Sequence, residues 1–150
     1  MQLDISVFTN LQEVTSDYPY NFKAYNQPDF HNSCTAFDGY YTGAKVFDFN
    51  LSYSTYNYYR KKLARLAGYE AVAAWHDPDK YEKELFFKQV NYSDFEGCID
   101  FPTADQLYKE YLRYWPAAVL EWNDPYLEIY LKFLHAFKFA AEHKGVVLFN

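Results

Sequence analysis

Ser93, Asp94, Glu96 and Gly97 are the chain's one concentration of small polar chemistry. They close the segment Asn91-Tyr92-Ser93-Asp94-Phe95-Glu96-Gly97, directly after the apolar run Phe86-Phe87-Lys88-Gln89-Val90. Residues two apart in an extended segment share a face, so Asp94 and Glu96 would project to one side. With Asp100 they could attract a hard cation, or serve a small hydrolase or metal-dependent enzyme. Three carboxylates nevertheless fall short of the ligand count of a calcium loop. A turn accounts for the same residues: Ser93 or Asp94 would bond nearby amides and Gly97 would take a positive φ. Such turns are common, so the turn is the expectation, and no catalytic residue, metal or cofactor is assigned.

Other chemistry-bearing residues are dispersed. His31, His76, His135 and His143 lack metal-ligand spacing. His135 and His143 lie about two helical turns apart, too far to chelate together. A histidine-centred acid/base site assembled by the fold stays open. No P-loop, dinucleotide fingerprint, nucleophile elbow or zinc motif occurs. Tyr53, Tyr56, Tyr58 and Tyr59 precede Arg60, a pattern able to stack bases. The competing account is an amphipathic helix with its tyrosines half in the core, and overall charge favours it. The chain carries net charge −6, whereas nucleic-acid binding needs a basic surplus. Asp77, Asp79, Glu82 and Glu84 are interleaved with lysines. They read as a solvated loop, or as a rim steering a cationic partner.

Composition bounds the rest. At 150 residues, one domain over residues 1–150 with a single core is expected. Seventeen tyrosines and fourteen phenylalanines, each carrying about 150–250 Å² of buriable surface, exceed what that core holds comfortably. Several tyrosines should therefore be surface binding anchors. Cys34 and Cys98 have no metal-type spacing, and one disulfide is possible but not required. Met1-Gln2-Leu3-Asp4 lacks a basic and an apolar region, so no signal peptide is expected. No apolar run reaches membrane-span length. These features predict a cytoplasmic protein with free thiols.

The elements that must position these residues follow from periodicity. Leu3 to Phe8 alternates as an opening strand. Residues 9–44 read mostly as loop, with short strands at Asn21–Tyr25 and Val46–Asn50. Ser54 is placed to cap a helix over Thr55–Ala67, stopped by Gly68. Phe86–Val90 reads as a strand. Thr103 with Gln106 forms a capping-box pattern for a helix from Ala104 that ends or bends near Pro116. Asp124-Pro125 starts another helix reaching about His143, the longest, and Val146–Phe149 is a final buried strand. The sum is α+β: a small, mainly antiparallel sheet with about three helices.

The order of these segments resembles an uncharacterised family of small bacterial and phage-encoded proteins. The likeness rests on Leu3-Asp4-Ile5, Gln27-Pro28-Asp29-Phe30, Ser52-Tyr53-Ser54-Thr55-Tyr56-Asn57, Leu63-Ala64-Arg65-Leu66-Ala67-Gly68-Tyr69, Asn91 to Gly97, and His135-Ala136-Phe137. It spans nearly the whole chain. Gln2 stands where that family has glycine, and Phe95 where its motif has cysteine. The resemblance implies a shared fold and a shared special segment, and no activity.

Acidic charge, small size and abundant tyrosine together favour a binding protein over an enzyme. The expectation is an immunity protein whose carboxylates cover the active site of a basic, nuclease-type toxin domain. The partner-binding candidates are Glu82, Glu84, Asp94 and Glu96, with Tyr53, Tyr56 and Tyr81 as anchors. A hydrolase centred on Asp94 and Glu96 is the alternative from another class. A phage or mobile-element inhibitor of a host defence enzyme is a third. Neither nucleic acid nor membrane is expected as a partner, and no oligomeric state follows.

Overall fold

The structure is a computed structural model describing residues 2–24, 36–92, 97–123 and 125–150. In chain order the strands are β1 (Gln2–Val14), β2 (Phe22–Ala24), β3 (Gly39–Ser52), β4 (Gly97–Asp100) and β5 (Val146–Phe149). The helices are α1 (Tyr53–Leu66), α2 (Ala71–His76), α3 (Pro78–Tyr81), α4 (Phe87–Val90), α5 (Phe101–Glu121) and α6 (Tyr126–Glu142). The strands form one sheet ordered β2-β3-β1-β5-β4, with every neighbouring pair antiparallel. The α+β class and the antiparallel sheet hold. About three helices is too few: the described residues contain six, three long and three of four to six residues.

The largest departure lies in the first fifty residues. β1 and β3 are 13 and 14 residues long: the strands expected at Leu3–Phe8 and Val46–Asn50 lie inside them, and they extend into residues 9–14 and 39–44, where mostly loop was expected. Their pairing runs from Gln2 opposite Ser52 to Val14 opposite Tyr40. Such long-range pairing holds polar residues in strand that local propensity assigns to loop. The register shifts between Val7 and Phe8 and again between Thr9 and Gln12. Bulges bend a strand and raise its twist, so the distal end of the β1–β3 ribbon curls away from the plane. At the second shift a Cβ on Gly43 would lie 2.7 Å from the Thr9 carbonyl oxygen, so only glycine fits.

Alternation then divides the sheet into two faces. Leu3, Ile5, Val7, Ile99, Val147 and Phe149 are buried in the main core with α1, α5 and α6. That core is built largely from rings: Tyr59 stacks on Phe133 at 5.3 Å, and Tyr111 lies 4.4 Å from Tyr130. Three of its hydroxyls form a connected set of hydrogen bonds. Tyr59 and Tyr111 share a hydrogen bond of 2.9 Å, Tyr111 donates to Gln89 Oε1, and Tyr130 donates to the Tyr111 carbonyl at 2.6 Å. Burial pushes the Tyr59 and Tyr111 hydroxyls well above the usual phenol range. On the opposite face a smaller cluster joins Phe8, Phe22, Ala24, Cys98 and Val146 under the curled ribbon.

Three helix boundaries differ from expectation for local reasons. Ser52, not Ser54, caps α1, its Oγ accepting the Thr55 N–H at 3.1 Å. Asp100, not Thr103, caps α5, accepting the Thr103 N–H at 3.2 Å. Helix α5 then continues past Pro116 to Glu121 and, at 21 residues, is longer than α6 at 17. Pro116 and Leu112 are exposed, so the Leu112 carbonyl, deprived of its helical donor, faces water rather than core. Phe86–Val90 forms a left-handed residue and a helical turn, not a strand. Phe86 has φ 64°, and the N–H groups of Val90 and Asn91 bond the carbonyls four residues back. A short apolar run does not by itself distinguish the two.

Candidate functional site

The segment Asn91 to Gly97 is described at its two ends, and Ser93, Asp94, Phe95 and Glu96 lie outside the described residues. Both ends are structural. Tyr92 is 3% exposed, with its ring 4.7 Å from that of Phe149. Gly97 packs so closely that a Cβ would collide with the Tyr92 hydroxyl. The Tyr92 and Val90 carbonyls accept hydrogen bonds of 2.9 and 3.0 Å from Arg60 Nη1. Arg60 is 8% exposed and lies over the rings of Tyr56 and Trp75. Its buried charge is thus met by carbonyl dipoles and π faces. Asp100 is committed as well: its two oxygens accept the Ala36 and Thr103 N–H groups, so it is a cap rather than a spare carboxylate. Among the described residues no group of three or more His, Cys, Asp or Glu is placed to hold a metal ion.

The sequence-derived anchors do not converge on one surface. Tyr56 is fully buried against Phe133 and Phe149 and is removed from the exposed anchors. Tyr53 is half-buried at the first residue of α1. Tyr81 is half-buried beside Tyr69 at 5.7 Å, just past the other end of that helix, and exposed Glu82 and Glu84 follow it. A helix of 14 residues spans about 20 Å, so Tyr53 and the Tyr81–Glu84 segment sit at opposite ends of α1. Asp94 and Glu96 lie outside the described residues. Tyr56, Tyr59, Tyr69, Tyr92, Tyr111 and Tyr130 are core, while Tyr18, Tyr20 and Tyr58 are exposed, as the surplus of tyrosine predicts.

The curled ribbon presents a better defined surface. Tyr18 and Tyr20, 64% and 49% exposed, stand on the connection from β1 to β2. The Tyr20 ring meets Tyr40 edge-on at 4.7 Å, and Lys23 Nζ lies 4.9 Å from the centroid of that Tyr40 ring. Exposed Glu13, Asp17 and Asp38 belong to the same end of the ribbon. Asn21 ties it together, donating its N–H to the Tyr41 carbonyl and accepting the Gly43 N–H. Beside it the sheet face away from α1, α5 and α6 carries two recesses. One recess of about 320 Å³ is lined by Tyr20, Asn21, Lys23, Gly97, Leu148 and Asn150. A second, of about 380 Å³, includes Asp4, Ser6, Lys45, Asp48 and Asn50 and shares Asn21, Leu148 and Asn150 with the first. The walls mix amides and the carboxylates of Asp4 and Asp48 with the ammonium groups of Lys23 and Lys45, the latter paired with Asp48 at 3.3 Å, a lining suited to hydrogen bonding. The motif search missed Tyr18 and Tyr20. Their signal was available: Tyr18-Pro19-Tyr20 follows Ser16-Asp17 in a stretch without apolar periodicity, so nothing nearby could bury them.

Two further observations bear on the protein's setting. Cys98 is disulfide-bonded and 4% exposed, and no described cysteine is free. The expected free thiol is therefore overturned at Cys98, and Cys34 lies outside the described residues. Among the described residues no helix is long and apolar enough to cross a membrane. Comparison with family models, curated proteins and solved structures returns no match.

Proposed function

We propose that this chain is a binding protein of the immunity type, which masks a basic, nuclease-type toxin domain. The observation that carries the reading is the pair Tyr18 and Tyr20, exposed at the rim of the recessed sheet face among Glu13, Asp17 and Asp38. Exposed tyrosines at a concave edge supply large contact area at little entropic cost. The carboxylates and the net charge of −6 would steer a cationic partner to them. Tyr81, Glu82 and Glu84 form a second acidic segment that such a partner could reach only if it spans the molecule. A disulfide-bonded Cys98 fits an oxidising compartment, so the reading does not depend on a cytoplasmic location. The reading as a phage-encoded inhibitor uses the same surface and differs only in the partner.

The test is co-expression with basic nuclease-type toxin domains, read as cell survival, followed by titration of the rescued pair at low and high salt. Rescue is expected, with affinity falling as salt rises, mainly through slower association. Tyr18→Ala and Tyr20→Ala should each cost at least about 1–2 kcal/mol of binding. Failure to rescue against any basic domain, or binding indifferent to both salt and these tyrosines, would overturn the reading.

A further inference from the structure

Lys62 lies over three aromatic rings at once. Its Nζ is 5.8 Å from the centroid of Tyr58, 5.3 Å from Trp122 and 5.1 Å from Tyr126. Tyr58 stands one turn before Lys62 on α1, Trp122 ends α5, and Tyr126 opens α6. Among the described residues Lys62 makes no ion pair, and neighbouring Arg65 is paired with Glu70 at 3.2 Å. Among the described residues the contacts of this ammonium are to aromatic faces, the arrangement by which proteins recognise organic cations.

The enclosure is built rather than incidental. Trp122 is 7% exposed, and its ring is held edge-on by Tyr59 at 5.7 Å and by Tyr130 at 5.4 Å. The floor is therefore fixed by the main core. Tyr58 is 46% exposed and its ring is 5.3 Å from that of Tyr126, which makes this pair the outer wall. An adjoining recess of about 180 Å³ is lined by Tyr58, Lys62, Arg65, Leu66, Glu121 and Trp122. There the exposed Glu121 offers a carboxylate, while the charge of Arg65 is already engaged by Glu70.

We propose that Tyr58, Trp122 and Tyr126 form a binding site for a methylated or quaternary ammonium group, occupied in the free protein by the chain's own Lys62. A bare ammonium is strongly hydrated and gains little by leaving water. A methylated one sheds less water and fills the enclosure with apolar contact while keeping its charge. Lys62, tethered on the same helix, competes at high effective concentration. It excludes ordinary lysine side chains and yields to the softer cation. The site is independent of the proposed toxin-binding surface.

The test is an NMR titration of the full chain with tetramethylammonium chloride, following the Trp122 indole and Tyr126 ring signals, with sodium chloride at equal ionic strength as control. Removing the resident cation by Lys62→Ala should tighten binding about tenfold over the natural chain. Adding Tyr58→Ala to that variant should weaken it about tenfold. Choline and a trimethyllysine peptide then separate the sources: tighter binding of the peptide assigns a modified protein, and equal binding assigns a small metabolite. Thermal melting checks that each variant is folded, and Lys62→Gln replaces Lys62→Ala if the latter is not. A folded variant lacking Lys62 whose Trp122 and Tyr126 signals respond to tetramethylammonium no more than to sodium would overturn the proposal.

Discussion

The two faces of one sheet have opposite characters although their residues alternate along the same strands. The face under α1, α5 and α6 is a dense assembly of rings in which the hydroxyls of Tyr59, Tyr111 and Tyr130 are bonded internally. The other carries a small cluster around Phe8, Phe22 and Cys98, two polar recesses and, at its rim, the exposed rings of Tyr18 and Tyr20. Tyrosine serves both. In the core it adds area and a hydroxyl that must be satisfied. At the ribbon tip it keeps that area available to a partner. Abundance of tyrosine is thus no measure of binding surface until burial is known.

Substitutions should separate the faces by size of effect. Phe133→Ala, which empties the centre of the ring assembly between Tyr56, Tyr59, Phe137 and Phe149, is expected to cost about 3–5 kcal/mol in denaturant unfolding. A loss under about 1 kcal/mol would mean that the two faces do not differ in packing. Next in size is the disulfide at Cys98, in the lesser cluster. Thiol labelling of the native protein should find Cys98 protected, and reduction should lower stability by about 2–4 kcal/mol.

Glu110 sharpens the comparison within the core face. It accepts the N–H of Phe86, the left-handed residue that starts α4, at 3.0 Å. Glu110→Ala should cost about 1–3 kcal/mol by leaving that N–H unpaired, whereas Glu110→Gln retains an acceptor. Burial raises the Glu110 pKa above the ordinary carboxylate value. The folded state therefore holds the proton more tightly than the unfolded one, and stability from this group is lost as pH rises through the folded pKa. Glu110→Gln should be equal to the natural chain in acid and gain on it towards neutral pH. Unfolding midpoints across that range check the sign. The smallest effect is expected on the other face: Tyr18→Ala and Tyr20→Ala should change stability by less than about 0.5 kcal/mol. A larger loss would make them packing residues and remove them from the interface.

Legibility in the sequence followed how local each signal was. The segment Val146–Phe149 was readable as a strand, and the bodies of α1 and α6 as helices, because each carries its own periodicity or stop signal. β3 was readable only at Val46–Asn50, since the rest of Gly39 to Ser52 is in strand through its pairing with β1 some forty residues away in the chain. Helix α5 was cut short on paper because Pro116 carries a rule whose force depends on which face the proline occupies. Tyr56 illustrates the limit at the candidate site. Its neighbour Tyr58, two residues on, is 46% exposed while Tyr56 is fully buried, and only the packing of α1 against α6 and β5 tells them apart.

By itself the chain determined its class, its acidic balance and the kinds of side chain available for binding, because these depend on composition and short-range pattern. The tertiary structure decided which tyrosines are exposed, that Asp100 is a cap, that Cys98 is bonded, and that Lys62 meets three rings from three helices. Each of those outcomes requires residues distant in sequence to be brought within a few ångströms, and no local propensity carries that information.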